Sequence, residues 1–276
     1  MIRFHSPTTL DEAGELIAIG GRVFAGGTVI MPQLPHPTDG MVLIDIARIG
    51  GLADVVRSEA SVSCGAMLSV SRFGLLVASW PSALAVADAA GHLGNSHVRR
   101  LATVGGNLGW TDQYTDLAVP LVALGASAEV FSKGEGIEVV PVATLRPRLR
   151  RSAGLVTRVR IPVSPDRRSS YARLSWRRAS ARTVAAAAAV GRLADDGAWR
   201  DLCVVVGGIQ PDPVEIEGIN EQLDGSRLDS AAIARAAGWA AERAGVSRED
   251  ALGADYRRRA VEVVVQRALG SLAAGW

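Results

Sequence analysis

Two glycine pairs in the N-terminal part of this 276-residue chain constrain its fold more than any other feature. The first, Ala25-Gly26-Gly27-Thr28, lies between a predicted buried strand and the start of a short helix. The second, Thr103-Val104-Gly105-Gly106-Asn107, ends a predicted strand that begins at Val98. Glycine lets the backbone approach a diphosphate closely, and a helix N-terminus adds positive potential there. Neither turn has the Gly-x-Gly-x-x-Gly spacing, so a nicotinamide-binding Rossmann fold is disfavoured.

Three side chains beside these turns are candidate ligands of the same group. Thr28 adds a hydroxyl donor to the first turn, and Asn107 adds an amide that can both donate and accept. Asp116 follows nine residues after Asn107 and is placed to accept a hydrogen bond from a sugar hydroxyl. A single glycine pair after a strand is more often a plain turn, so the prediction rests on the two turns together.

The order of helix and strand signals predicts a small parallel α/β unit at the N-terminal end. Thr8 or Thr9 can cap a helix that Gly20-Gly21 ends. Buried strands are then predicted over 22–25 and 42–46. A strand, a helix and a strand at this spacing are typical of parallel α/β units.

The rest of the chain divides at a proline-containing linker predicted over 162–170. The segment before it predicts a hairpin at 55–65, helices that begin at Ser69, Pro81 and Leu117, a strand over 98–107 leading into the second turn, a hairpin at 128–140 and a strand over 155–161. The segment after it predicts strands over 171–176, 184–193 and 202–208, then helices over 229–244 and 255–272. Alanine favours helix, so a helix over 181–189 stays open beside the strand.

Charge and cysteine content exclude several classes of function. The formal net charge of +2 gives no reason to expect nucleic acid as a partner. Arginine-rich stretches over 146–160 and 167–178 are either solvated faces of strands and loops or a docking surface for an acidic partner. Cys64 and Cys203 are too few for a zinc or iron–sulfur site, and we expect a reduced, cytoplasmic protein. The longest apolar run, Val184 to Val190, is too short for a membrane span.

The sequence contains no convincing catalytic constellation. Its four histidines, His5, His36, His92 and His97, do not pair at metal-ligand spacing. No nucleophile elbow, P-loop or His-Glu-x-x-His motif occurs. A chain that lacks catalytic side chains but has two phosphate-binding turns indicates that a cofactor supplies the chemistry.

Taken in order, the two turns resemble the motifs of the FAD-binding subunits of molybdenum hydroxylases. This family includes carbon monoxide dehydrogenase medium subunits and the flavin domain of xanthine dehydrogenase. Its Ala-Gly-Gly-Thr pattern, followed by an apolar pair and proline, is met over 25–32. Its Ile-Arg-x-x-Ala-Thr-Ile-Gly-Gly-Asn pattern is met over 98–107 with valine for both isoleucines, and Asp116 meets the aspartate that follows. Further matches lie at Arg177-Arg178-Ala179, 207–209, 223–225, 255–258 and 267–269.

The resemblance implies an α+β fold with a two-part FAD-binding domain. A small parallel α/β subdomain would span 1–54 and a larger, mainly antiparallel α+β subdomain 55–165. A C-terminal domain of a small antiparallel sheet and helices would span 171–276, which favours strand over 181–189. The residues implied to bind FAD are Ala25, Gly26, Gly27, Thr28, Val29, Ile30, Thr103, Gly105, Gly106, Asn107 and Asp116. Trp110 and Tyr114 lie in a loop where relatives have small or polar residues, and they either stack near the cofactor or simply pack.

The resemblance also implies partners and a reaction. A large subunit would carry the molybdenum cofactor and a small subunit two iron–sulfur clusters, in a dimer of heterotrimers. Electrons would pass from the clusters to FAD on this chain and then to an external acceptor, so the substrate site would lie on another chain. Carbon monoxide, N-heteroaromatics, purines, aldehydes and aromatic acyl thioesters stay open as substrates. The alternatives are a stand-alone FAD-dependent oxidase of the vanillyl-alcohol oxidase type and a FAD-less scaffold subunit.

Overall fold

The structure, a computed structural model, describes residues 2–34, 40–111, 116–176, 183–246 and 252–275. Within these ranges the strands form three sheets of three, five and four strands, which follow one another along the chain. This arrangement confirms the predicted α+β class. The predictions for His36, Tyr114 and Arg177-Arg178-Ala179 lie outside the described residues. In the described ranges, no helix combines the length and the apolar character that crossing a bilayer requires.

The first sheet is the small parallel unit that the sequence predicts. Its strands are β1 (Arg3–His5), β2 (Arg22–Phe24) and β3 (Val42–Asp45), in the order β1-β3-β2 and parallel throughout. Helix α1 (Leu10–Ala18) begins after Thr9, whose hydroxyl accepts a hydrogen bond from the Glu12 backbone at 3.2 Å. The carboxyl end of β2 leads into the first glycine turn, and ligands of open α/β sheets bind at such strand ends.

The second sheet is antiparallel throughout, in the order β4-β5-β8-β6-β7. Its strands are β4 (Val55–Arg57), β5 (Ser61–Gly65), β6 (Ser127–Ser132), β7 (Gly136–Pro141) and β8 (Leu155–Pro162). The helices packed with it around one apolar core are α2 (Val70–Val77), α3 (Leu84–His92), α4 (Ser96–Leu101), α5 (Val104–Gly109), α6 (Ala118–Ala123) and α7 (Val142–Arg151). Both predicted hairpins are confirmed, and so is the cap of α2 at Ser69.

The strand predicted over 98–107 is wrong, because two short helices occupy this segment. Asn95 caps α4 by accepting from the backbone of Val98 at 2.9 Å, and Thr103 caps α5 by accepting from the backbone of Gly106 at 3.1 Å. The caps satisfy N–H groups that a helix start leaves free, and this gain outweighs the strand preference of β-branched residues. The second glycine pair therefore lies in the first turn of a helix.

Helix α7 does not follow from the sequence pattern, because Pro147 lies inside it. A proline in a helix removes one backbone hydrogen bond and usually marks an end. The apolar side of α7 compensates here, since Val142 and Leu145 are buried in the core of the second unit. The first arginine-rich stretch is therefore partly helical and does not consist only of strands and loops.

The third sheet is antiparallel, in the order β12-β11-β10-β9. Its strands are β9 (Arg167–Ser175), β10 (Thr183–Leu193), β11 (Trp199–Gly207) and β12 (Val214–Glu215). Helices α8 (Ile219–Leu223), α9 (Ser230–Arg243) and α10 (Ala254–Ala274) pack against it. Since β8 ends at Pro162 and β9 begins at Arg167, the link between the second and third sheets is shorter than the predicted 162–170.

The alanine run over 185–189 is a strand, because both faces of β10 are buried. Ala186 and Ala188 pack into the apolar core of the second sheet and its helices. Ala185, Ala187 and Ala189 belong to the core that β10 shares with α9 and α10. Burial on both sides produces a continuous apolar strand and overrides the helix propensity of alanine.

Candidate cofactor-binding site

All eleven residues predicted to bind a cofactor line one cavity of about 520 Å³. They are Ala25, Gly26, Gly27, Thr28, Val29, Ile30, Thr103, Gly105, Gly106, Asn107 and Asp116. The walls come from two parts of the chain. Residues 17–46 belong to the first unit, the first sheet with helix α1, and residues 66–156 belong to the second unit, the second sheet with helices α2 to α7. The two glycine turns, distant in sequence, are neighbours in the fold, because a Cβ built on Gly106 would lie 4.0 Å from the Cβ of Ala25.

Both glycines of the first turn are required by its geometry. A Cβ on Gly26 would lie 1.9 Å from the carbonyl oxygen of Leu101, which precedes the second turn. Gly27 has a φ of +67°, in the left-handed region that side chains disfavour, and a Cβ there would lie 2.8 Å from the ring of Phe24. The first turn therefore keeps its shape and its contact with the second unit only if both positions are glycine.

The first turn also presents free backbone donors. In the described part of the chain, the N–H groups of residues 26–30 bond no acceptor, and neither does the Thr28 hydroxyl. The carbonyl of Gly27 is used, since it accepts from the backbone of Met31 at 3.1 Å. Consecutive unbonded N–H groups form an anion-binding concavity.

The second turn differs, because its backbone donors are already used. The N–H groups of residues 104–107 all have acceptors within the fold. The bonds run from Val104 to the Leu68 carbonyl (3.0 Å), from Gly105 to the Ala66 carbonyl (2.8 Å), from Gly106 to the Thr103 hydroxyl (3.1 Å) and from Asn107 to the Thr103 carbonyl (2.9 Å). Gly105 serves close packing, since a Cβ there would lie 2.4 Å from the Cβ of Ala66. The two turns thus do not share the single backbone role that the sequence suggests.

Asn107 brings an unsatisfied side chain into the cavity wall. Its Oδ1 atom is buried, and no donor in the described ranges bonds it. Buried polar atoms in folded proteins are normally paired, so an isolated one in a cavity wall is a position where a ligand completes the bonding. This amide is a candidate side-chain contact for a bound molecule with a donor group.

Asp116 lines the cavity but also joins it to the third sheet. Its Oδ1 accepts from the Thr183 hydroxyl at 2.7 Å and from the Tyr171 hydroxyl at 3.1 Å. Its Oδ2 lies 3.6 Å from a guanidinium nitrogen of Arg173. The carboxylate predicted to bind a sugar hydroxyl is therefore also an anchor for β9 and β10.

Arg22, which the sequence reasoning missed as a site residue, gives the cavity its second charge. Arg22 and Asp116 are the charged residues among the described lining, and Asp116 is paired with Arg173. The guanidinium carbon of Arg22 lies 5.7 Å from the ring centroid of Trp110, a cation–π distance. The sequence signal that could have identified Arg22 as a site residue is its position in the strand that leads into the first turn. The cavity is therefore suited to an anion.

Arg146 supports the same wall from behind. It is 1% exposed and donates to the carbonyls of Trp110 (2.6 Å) and Thr111 (3.0 Å) and to Asp212 (3.0 Å). Arg150 also pairs with Asp212. Burial acts to raise the pKa of Asp212, but the hydrogen bonds and charges of Arg150 and Arg146 outweigh it and lower that pKa. The sequence left two interpretations of the arginine-rich stretch over 146–160 open: a solvated face or a docking surface for an acidic partner. Both are wrong for Arg146, because its charge is paired inside the chain.

Groups typical of catalysis do not converge in the described part of the chain. No three His, Cys, Asp or Glu side chains are placed there to hold a metal ion. The described lining of the cavity contains no histidine or cysteine. Burial raises the pKa of Cys64 and of Cys203 to about 12, so neither is a reactive thiolate. The arrangement is suited to an anionic molecule, and its described lining brings no histidine or cysteine nucleophile to it.

Comparison with protein families accounts for almost the whole chain. Residues 1–164 match the family described as FAD binding domain in molybdopterin dehydrogenase. Residues 170–272 match the family described as CO dehydrogenase flavoprotein C-terminal domain.

Individual relatives cover nearly the whole chain. The carbon monoxide dehydrogenase medium chain of Afipia carboxidovorans is 26% identical over 96% of this chain and 94% of its own length. Subunit alpha of the 6-hydroxypseudooxynicotine dehydrogenase complex of Paenarthrobacter nicotinovorans is 24% identical over 95% of this chain and 90% of its own. Quinoline 2-oxidoreductase from Pseudomonas putida 86 shares the fold, with a TM-score of 0.84 at 23% identity over 100% of this chain and 98% of the matched one.

Proposed function

Since the chain belongs to the family of FAD-binding domains of molybdopterin dehydrogenases, we propose that it is the FAD-binding electron-transfer subunit of a heteromeric molybdenum hydroxylase. The two matching families cover residues 1–164 and 170–272, so the likeness extends beyond the flavin-binding part. The stand-alone oxidase is not favoured, because both matching families are those of molybdopterin and carbon monoxide dehydrogenase flavoproteins.

The run of unbonded N–H groups over 26–30 is the observation that carries the proposal. FAD contains an anionic diphosphate, and free backbone N–H groups bind phosphate oxygens well. The first turn would hold the diphosphate, and Arg22 would add positive charge from the neighbouring strand. Charge-assisted hydrogen bonds of this kind are about twice as strong as neutral ones.

The second turn would form the opposite wall. Thr103, Gly105 and Gly106 keep that wall close to the first turn through the cap of α5 and the contact with Ala66. The free Oδ1 of Asn107 would accept from a hydroxyl or N–H of the cofactor. With Ala25, Gly26, Gly27 and Thr28 of the first turn and with Val29, Ile30 and Asp116, these residues complete the proposed binding surface of eleven residues.

The bound flavin would supply the redox chemistry, since it exchanges electrons with both its donor and its acceptor. The chain's own part is to hold the cofactor and to exclude water with apolar wall residues such as Ile17, Ile46 and Val156. Electrons would arrive from iron–sulfur clusters on a partner and leave to an external acceptor.

The relatives support a multi-chain assembly, because one is named a medium chain and another a subunit of a complex. The proposed partners are a large subunit with the molybdenum cofactor and a small subunit with two iron–sulfur clusters, in a dimer of heterotrimers. Two cysteines are too few for the four thiolates that such a cluster takes, so the clusters would belong to the small subunit. Cys64 and Cys203 are both free, which fits the proposed cytoplasmic location.

The three sheets support the domain division that we propose from the sequence. The first sheet lies within 1–54 and the second within 55–165. The third sheet and helices α8, α9 and α10 fall in the C-terminal domain proposed over 171–276, with β9 beginning slightly earlier at Arg167.

A titration of the flavin-free full chain with FAD tests the cofactor assignment. We expect saturable binding with the visible spectrum of oxidised flavin. Acid precipitation should release all of it, because the described cavity lining offers no histidine or cysteine for a covalent link. No uptake of FAD, or flavin that stays on the precipitated chain, would contradict the proposal.

A further inference from the structure

Trp110 lines the cavity, and its indole N–H has no hydrogen-bond partner among the described residues. Its Nε1 atom is buried, and the described residues provide no acceptor for it. A buried donor left unpaired destabilises a fold, which is why folded proteins contain few of them. An acceptor atom of a bound ligand would remove this cost.

The indole is held from two sides before any ligand binds. Arg22 lies over the ring at 5.7 Å from its centroid. On the backbone side, the buried Arg146 donates to the Trp110 carbonyl at 2.6 Å. Arg146 is itself tied to Asp212 of the C-terminal part at 3.0 Å. A group fixed in this way loses little conformational freedom when it binds a ligand, and this favours affinity.

The unpaired donor has an unpaired acceptor near it in sequence and in the same wall. Five buried side-chain atoms lack a partner among the described residues, and two of them, Trp110 Nε1 and Asn107 Oδ1, belong to residues that line the cavity. A donor and an acceptor left open in one cavity fit a ligand that has both kinds of group, as FAD does.

We propose that Trp110 is a cofactor-binding residue whose indole N–H donates to an acceptor atom of FAD. The inference rests on the proposed function and adds a specific contact to it. It decides between the two roles open for Trp110 from the sequence: the residue binds the cofactor and does not merely fill space. Arg22 and Arg146 act as positioning residues for the indole.

Trp110→Phe tests the proposal, because phenylalanine keeps an aromatic ring beside Arg22 but lacks the N–H. Titration of the flavin-free full chain with FAD should give a Kd about tenfold higher than wild type, the effect of one lost hydrogen bond. Trp80→Phe is the matched control. Arg57 lies over the Trp80 ring at 5.6 Å, but Trp80 is not part of the cavity lining. Its Kd should stay within about twofold of wild type, as for a change outside the site.

Thermal unfolding separates binding from packing. The flavin-free Trp110→Phe chain should unfold at the wild-type temperature or above it, because the variant no longer buries an unpaired donor. FAD should raise its Tm by less than it raises the wild-type Tm. An unchanged Kd, whatever the Tm of the flavin-free variant, would overturn the proposal while leaving FAD binding by the chain intact. Failure of the wild-type chain to bind FAD would overturn this proposal and the proposed function together.

Discussion

Gly26 is the point where the first turn touches the second unit, so Gly26→Ala should separate the two walls of the cavity. The added Cβ would lie 1.9 Å from the Leu101 carbonyl oxygen, whereas ordinary contacts begin at 3.4 Å. The obstacle is backbone and cannot rotate away, so one wall must move by about 1.5 Å, the difference between these distances.

A movement of this size is enough to break hydrogen bonds from the first turn to a bound anion, because N–H···O bonds are confined to about 2.7–3.2 Å. Each bond to a charged group contributes about 1.5–3 kcal/mol. The loss of a single one therefore predicts FAD binding weaker by roughly 10- to 150-fold. The strain of the added methyl group should also lower the free energy of unfolding by about 1–3 kcal/mol.

The assay is a titration of the flavin-free chain with FAD at a temperature where circular dichroism shows the variant folded. Gly91→Ala is the control, because Gly91 of α3 is not part of the cavity lining and a Cβ there would meet nothing within 4 Å. The control should bind FAD as the wild type does. Wild-type affinity in folded Gly26→Ala would refute the assignment of the first turn to the diphosphate.

Three further changes test the supporting groups. Arg146→Met should lower the free energy of unfolding by about 1–3 kcal/mol, because the Trp110 carbonyl loses its buried donor while Asp212 keeps its pair with Arg150. The exposed Arg151→Met should lower it by at most about 0.5 kcal/mol. Equal losses in urea unfolding would contradict this. Asp212→Asn should lower the Tm at neutral pH, because the ionised carboxylate with its lowered pKa stabilises the fold. That stability is lost as the pH falls through the lowered pKa of Asp212, which lies below the ordinary 3.8. The Tm values of the wild type and of Asp212→Asn should therefore converge at that pH. A Tm difference that stays constant with pH would argue against a stabilising role of the ionised carboxylate. Arg22→Gln should weaken FAD binding more at low salt than at high salt, because salt screens charge attraction; a loss independent of salt would rule out a charge role for Arg22.

Local signals in the sequence predict much of the fold. Thr9 and Ser69 start their helices as predicted, because a capping hydroxyl acts on backbone donors only a few residues away. The parallel first sheet follows from short apolar strands separated by a helix. The strand predicted over 98–107 is wrong, because Asn95 and Thr103 cap two helices where β-branched residues suggest a strand.

Properties that depend on distant parts of the chain could not be predicted. The eleven residues proposed to bind FAD line one cavity, but only the fold shows that the donors of 104–107 bond Leu68, Ala66 and Thr103. Helix α7 could not be predicted because Pro147 lies inside it, and no neighbouring residue in the sequence indicates that Arg146 is buried. Its partners, Thr111 and Asp212, lie 35 and 66 residues away in sequence.

Flavin reduction by substrate tests the relay function most directly. The FAD-loaded chain and the complete complex would each be mixed anaerobically with carbon monoxide, quinoline, a purine and an aldehyde while the flavin absorbance is followed. We predict that one of these substrates bleaches the flavin of the complex and that none bleaches the flavin of the isolated chain. Bleaching in the isolated chain would contradict the account and would identify a stand-alone oxidase.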